Sequence, residues 1–231
     1  MNPFSIRSRR VHTFPCVLLL GAFSCISLAS GCDNAPGGDD SSALVGVWTY
    51  TDEFGDLTEE MSFAADGTVT ITDYSETPES VVVGTFSASG GVLTLEAELE
   101  TGDPTMPTAP SRSVQHYVVD ENRLGLTALL PDGSVDGVVG SWSGSADLSI
   151  GGVSFSDMTT EVTFAADGTV VVNVDGSSLF GPIVIEDAPG TYEELEPGVY
   201  QVEYDDGNAS NSMTLQLIEG RGLSEHVYVR Q

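Results

Sequence analysis

The sequence predicts an all-β protein built as two similar units, and three observations predict it. The heptapeptide Phe63-Ala64-Ala65-Asp66-Gly67-Thr68-Val69 recurs letter for letter as Phe164-Ala165-Ala166-Asp167-Gly168-Thr169-Val170. Each copy is preceded by a Gly-x-Trp, at Gly46-Val47-Trp48 and Gly140-Ser141-Trp142. Apolar and polar residues alternate with the period of a strand that has one wet face, as where Leu93, Leu95, Ala97 and Leu99 interleave with Thr94, Glu96, Glu98 and Glu100. Internal self-similarity of this kind points to one structural plan used twice.

The chain opens with a basic stretch, Met1 to Arg10, followed by an apolar run from Phe14 to Leu28 that Gly21, Ser24 and Ser27 interrupt. That run is too short and too broken for a stable membrane span and suits the core of an export signal. It leads into Leu28-Ala29-Ser30-Gly31-Cys32, which resembles the lipobox of bacterial lipoproteins. The resemblance implies that residues 1–31 are a signal peptide and that Cys32 is lipidated, becoming the first mature residue. A lipid on Cys32 would hold the protein to a membrane of the bacterial cell envelope, on the periplasmic side or at the cell surface. Cys16 and Cys25 lie within the signal, so Cys32 is the one mature cysteine and no disulfide framework is available. The alternative for a lone exported cysteine is an intermolecular disulfide. Residues 32–42 are rich in Gly, Pro, Asp and Ser and read as a flexible tether.

Residues 43–133 and 134–231 form the two units. In the first, the pattern predicts strands near 44–51, 57–65, 67–73, 80–88, 91–100, 112–119 and 122–130. In the second it predicts strands near 138–149, 153–166, 168–174, 181–186, 198–204, 211–219 and 223–230. Asp66-Gly67 and Asp167-Gly168 each join two alternating runs with residues that tolerate positive φ, so each reads as a hairpin turn. Pro104 to Pro110 reads as an exposed loop, and Pro131 to Gly137 ends the first unit.

The order Gly-x-Trp, Phe-x-x-Asp-Gly-Thr, Gly-x-aromatic and Leu-Thr-Leu resembles the small lipocalin-like domains of bacterial lipoproteins. In the first unit these elements are Gly46/Trp48, Phe63/Asp66/Gly67/Thr68, Gly84/Phe86 and Leu93/Thr94/Leu95. The second unit repeats the first two, offers Gly190/Tyr192 or Gly198/Tyr200 for the third, and Met213/Thr214/Leu215 for the fourth. The resemblance implies two tandem antiparallel up-and-down barrels of calycin type, with Trp48 and Trp142 each packing at one end. Such barrels are filled by their own side chains or enclose one small apolar ligand. Trp48, Phe63, Phe86, Trp142 and Phe164 are the residues that would form the core or line a pocket. The family's Trp-stacking Arg would be sought at Arg123 or Arg230, near the ends of the units.

Lysine is absent, and after Cys32 only Arg112, Arg123, Arg221 and Arg230 face 35 carboxylates. That field repels phosphate backbones, which excludes nucleic acid as a partner. Without Lys there is neither a phosphate-binding loop of the Gly-Lys type nor a Schiff base. His116 and His226 are the only mature histidines, in late strands, and read as equivalent positions in the two units. A zinc site needs three or four ligands, which these surroundings do not supply. The acidic runs Asp52 to Asp56, Glu193 to Glu196 and Asp205 to Asn208 lack the spacing of a helix-loop-helix calcium loop and read as solvated turns. No catalytic constellation, metal site or cofactor is expected. The reading is a non-enzymatic, lipid-anchored envelope protein with a structural or partner-binding role; the alternative is a carrier of a small apolar ligand in one or both barrels.

Overall fold

The computed structural model describes residues 41–52, 55–75, 79–103, 106–150, 153–178 and 181–231. The expected signal segment and Cys32 lie outside the described residues. One turn of helix, α1 (Ser41–Leu44), leads into the first strand. The strands that follow are β1 (Gly46–Thr51), β2 (Leu57–Phe63), β3 (Thr68–Asp73), β4 (Ser80–Ser89), β5 (Val92–Asp103), β6 (Met106–Val119), β7 (Arg123–Leu126) and β8 (Leu130–Pro131). Then come β9 (Gly140–Ile150), β10 (Val153–Phe164), β11 (Thr169–Ser178), β12 (Gly181–Glu196), β13 (Val199–Asp205), β14 (Ser210–Ile218), β15 (Gly222–Ser224) and β16 (His226–Arg230).

The two repeated turns fold alike. Ala64 donates its N–H to the Thr68 carbonyl at 2.8 Å and Gly67 donates to the Ala64 carbonyl at 3.1 Å; Ala165/Thr169 and Gly168/Ala165 do the same at 2.9 and 3.2 Å. Only the glycines take positive φ, +86° at Gly67 and +87° at Gly168. The aspartates act through their side chains instead, Asp66 accepting the Thr68 N–H at 3.0 Å and Asp167 the Thr169 N–H at 3.1 Å. Each is thus a turn followed by a glycine bulge, with Asp locking the exit.

Pairing closes eight antiparallel strands into a barrel: β1 through β7 in order, except that β16 stands between β7 and β1. The remaining strands extend the same sheet from β9 to β15. β6 serves both parts, pairing with β7 over Tyr117–Val119 and with β9 over Ser111–Gln115. The chain leaves the barrel at Thr127, a β-branched residue held at φ +52°. Leu129 then exchanges backbone hydrogen bonds with Leu223 at 2.8 and 2.9 Å, and Leu130 and Pro131 pair with Ser143 and Trp142 on β9.

Three expectations are corrected. The expected Pro104–Pro110 loop begins outside the described residues, and from Met106 the chain is β6, with Pro110 paired to Glu98. Among the described residues this stretch of β6 pairs with β5 alone, so on its other flank a proline that lacks an N–H deprives no ladder of a donor. The runs 122–130 and 223–230 are each two strands, because the chain changes partners at Thr127 and at Glu225. Glu193 to Glu196 is the end of β12, not a turn, and pairs with β13; the bulge at Asp187, φ +50°, lets that strand run on past residue 186.

Two large cores result. One packs Leu44, Trp48, Met61, Phe63, Val69, Phe86 and Leu93 inside the closed barrel. The other packs Trp142, Val162, Phe164, Val170, Val172 and Val202 against β9 to β14. A small seam of Val118, Ala128, Ile218 and Val227 joins them. At the seam Gly125 lies against Ile218 and Ser224, and Gly222 against Val118, with no room for a Cβ at either.

Candidate functional site

The five aromatic residues expected to be core or pocket lining are all buried, from 0% exposure at Trp48 and Trp142 to 8% at Phe86. Their partners match between the two halves. The Trp48 Nε1 donates to the Leu44 carbonyl and the Trp142 Nε1 to the Val138 carbonyl, both at 2.7 Å and both four residues back. Phe63 meets Phe86 edge to face at 4.8 Å, and Phe164 meets Tyr192 at 4.9 Å. Tyr192 is therefore the counterpart of Phe86, and Gly190 of Gly84. Gly84 pairs with Val69 and Gly190 with Val170, and at each a Cβ would run into the carbonyl of the next strand, Glu96 or Glu203. Because Phe86 pairs with Leu95 and Tyr192 with Val202, the counterpart of Leu93-Thr94-Leu95 is Tyr200-Gln201-Val202 on β13. Met213-Thr214-Leu215 lies one strand further on, on β14.

Arg230 lies over the Trp48 ring, its guanidinium carbon 4.3 Å from the centroid, and donates from Nη2 to the Ala43 carbonyl at 2.6 Å. Arg123 instead forms an ion pair with Asp120 at 2.8 Å. The register explains why one tryptophan has an Arg and the other does not: Trp48 pairs with Arg230, and Trp142 with Pro131.

The two histidines are not equivalent. His116 is on β6 and His226 on β16, with β7 paired between those strands. Burial lowers the pKa of both, and Glu225 partly offsets it at His226. His116 Nδ1 is buried with no hydrogen-bond partner.

At the end of the barrel away from α1, the interior becomes polar. Tyr50 sits between His226 and Tyr228, with ring centroids 5.4 and 5.5 Å away. The Tyr228 hydroxyl donates to Glu59 Oε1 at 2.6 Å, and Glu59 stands across from Tyr50 on one side and Asp73 on the other. Burial raises the Glu59 pKa, while the Tyr228 hydrogen bond opposes that and Asp73 adds to it. Tyr228 is pushed well above 10, by burial first and then by Glu59. Tyr50 is raised by burial and by Glu225, Asp52 and Glu59. Sequence reading missed this group because its members come from β1, β2, β3 and β16. The one available signal was a carboxylate, Glu59, in phase with the buried Met61 and Phe63.

The acidic turns use their carboxylates locally. Asp52 Oδ1 accepts the Asp56 N–H at 2.9 Å, and Asp206 Oδ1 accepts from Asn208 and Ala209 at 2.8 Å each. Among the described residues no three His, Cys, Asp or Glu side chains converge as a metal ion requires, and no helix is long and apolar enough to cross a membrane.

The class these features define is an all-β, barrel-containing protein, consistent with a calycin-like fold. Compared with known proteins, the chain matches no family model, no curated protein and no solved structure.

Proposed function

We propose that this is a lipid-anchored protein of the bacterial cell envelope, non-enzymatic, that presents two filled barrels to a partner or to the envelope itself. The observation that carries the reading is the packing of Trp48, Phe63, Phe86, Trp142 and Phe164. All five are buried among other side chains, edge to face or hydrogen-bonded. Residues so engaged support a core that stabilises the fold better than a pocket awaiting an apolar guest.

The second barrel is part of the proposal. β9 to β14 would close through β15, Leu129 and β8 back to β9, on the pairings of Leu129 with Leu223 and of Leu130 and Pro131 with β9. Each half would then lend its last strand to the other, β8 to the second barrel and β16 to the first. The anchor rests on Leu28 to Cys32 in the sequence.

Two measurements test these parts separately. Native mass spectrometry of the protein from source membranes should show no retained apolar ligand; a lipid of constant mass in stoichiometric amount would overturn the filled-barrel reading. Metabolic palmitate should label the wild-type chain and not Cys32→Ser, and an unlabelled wild type is incompatible with the anchor.

A further inference from the structure

We propose that the unpaired flank of β4, at Val81 and Val83, takes up an extended basic segment of another protein as an added β-strand. The inference rests on the partner-binding reading above and names the partner's class. It needs neither the lipid nor the packed aromatics, so its failure would leave both standing.

The flank follows from the ladder. Phe86 donates its N–H to the Gly67 carbonyl at 2.8 Å, and the same register continues from Thr68 and Thr85 to Asp73 and Ser80. In an antiparallel ladder, alternate residues turn both backbone groups to the same side. Phe86, Gly84, Val82 and Ser80 therefore face β3, while Val81 and Val83 face the other way. On that side β5 accompanies β4 from Ser89 only as far as Gly84, and beyond Ala97 it pairs with β6 alone among the described residues. The N–H and C=O groups of Val81 and Val83 are thus outside any ladder, and backbone groups so placed are nearly always met by water. Their side chains, each 59% exposed, are the most exposed large apolar groups among the described residues.

Open strand edges are ordinarily guarded by proline, charge or a bulge. Residues 181–189 of β12 pair with β11 but not with β13, and carry Pro182, Pro189 and a bulge at Asp187. Past Ala97, β5 carries Glu98, Glu100 and Asp103. Ser80-Val81-Val82-Val83 has none of these devices. A β-branched, unguarded edge is the feature that strand addition uses.

Charge selects the occupant. If the β4–β5 register continued, Val83 would meet Glu98 and Val81 would meet Glu100. Glu98 and Glu79 are exposed, and Glu60 lies in one cross-strand row with Thr72 and Val81. Each Arg of the described chain is engaged elsewhere: Arg112 with Glu96, Arg123 with Asp120, Arg221 with Glu219 and Arg230 over Trp48. A second copy would bring the same excess of acid, 35 carboxylates against four Arg after Cys32, and is repelled. Residues 33–40 hold Asp33, Asp39 and Asp40 without a base, and join the fold at Ser41, which bonds Ala88 at the other end of β4. A strand bearing Arg or Lys is attracted instead, its aliphatic stems lying on Val81 and Val83 while its charged heads meet Glu79 and Glu98.

The test is fluorescence anisotropy of the full chain with three labelled heptapeptides: one alternating arginine and valine, one in which proline replaces each valine, and one alternating glutamate and valine. The first is expected to bind with a Kd below about 1 mM, and the other two at least about tenfold more weakly. Hydrogen exchange at the Val81 and Val83 amides should slow at least about tenfold in the first complex. Val83→Pro removes an N–H that faces away from β3, so it should abolish binding with an unchanged melting temperature. Val184→Lys, on the proline-guarded edge of β12, should bind as wild type does. Should Val83→Pro fail to fold, Val83→Lys takes its place, because that side chain is largely exposed and an added positive charge repels the peptide. No binding at millimolar peptide, equal binding of the proline or glutamate peptide, unprotected Val81 and Val83 amides, or full affinity in the Val83 variant would each overturn the proposal. Protection of those amides that grows with protein concentration in the absence of peptide would assign the edge to a second copy and overturn it as well.

Discussion

Trp48 is held at its edge by the Leu44 carbonyl and on its face by Arg230, inside a core that leaves it no solvent contact. Trp48→Ala should therefore cost about 3–5 kcal/mol in urea denaturation, the range for a large aromatic removed from a packed core. A loss under about 1 kcal/mol would mean that the ring packs loosely. The histidines and Glu59 pull the pH dependence in opposite directions. Burial holds His116 and His226 below 6.5, so the stability tied to their neutral forms is complete above 6.5 and lost as pH falls through the folded values. Burial holds Glu59 above 4.5, so its contribution is complete below 4.5 and lost as pH rises through the folded value. His116→Leu deletes one histidine term and fills the place of a buried, unpartnered Nδ1. Its stability relative to wild type should rise between pH 7 and pH 5, measured by urea midpoints; a constant difference would show that His116 titrates alike in both states.

The repeated hairpins show what an element requires beyond its turn. Gly67 supplies the positive φ, Asp66 ties the exit, and the Gly67 carbonyl then accepts the Phe86 N–H at 2.8 Å, so the turn docks on the third strand of its sheet. Gly168 does the same for Tyr192 at 3.0 Å. Close strand approach at Gly84 and Gly190 makes that docking possible. Gly84→Ala and Gly190→Ala should each lower stability by about 1–3 kcal/mol, since a methyl must displace backbone rather than a flexible side chain. Comparable losses in the two variants, read from thermal melts, would support a shared plan; a neutral Gly190→Ala would separate the halves. The turns and most strands were legible in the sequence because alternation and Asp-Gly are local signals. The strand continuing through Pro107 and Pro110 was not, because a proline's tolerance depends on which flank of the strand is unpaired.

At the scale of the molecule, the strand that completes the closed barrel is the last one in the chain. β16 lies between β1 and β7, while Leu129 and β8 reach over to Leu223 and β9. Ser224 ties the crossing, its hydroxyl 2.7 Å from the Leu126 carbonyl and 3.0 Å from that of His226. Strands lent in both directions couple the two cores, so neither can melt without releasing an edge of the other. Fluorescence melts of Trp48→Phe, which reports Trp142, and of Trp142→Phe, which reports Trp48, should each show one transition that coincides with its own far-ultraviolet circular dichroism. Two transitions in either variant would show that the cores unfold independently.

The sequence by itself determined the all-β class, the two hairpins, the alternating strands and the burial of five aromatic residues, all of which depend on neighbours a few residues apart. Only the tertiary structure decided that β16 closes the barrel begun by β1, that Arg230 covers Trp48 and that Pro131 stands opposite Trp142. It alone brought Tyr50, Glu59, Asp73, His226 and Tyr228 to one end of the barrel. Side-chain alternation says which face of a strand is buried, but strand order and register decide what that face meets, and both are set by pairings between residues as much as 182 positions apart.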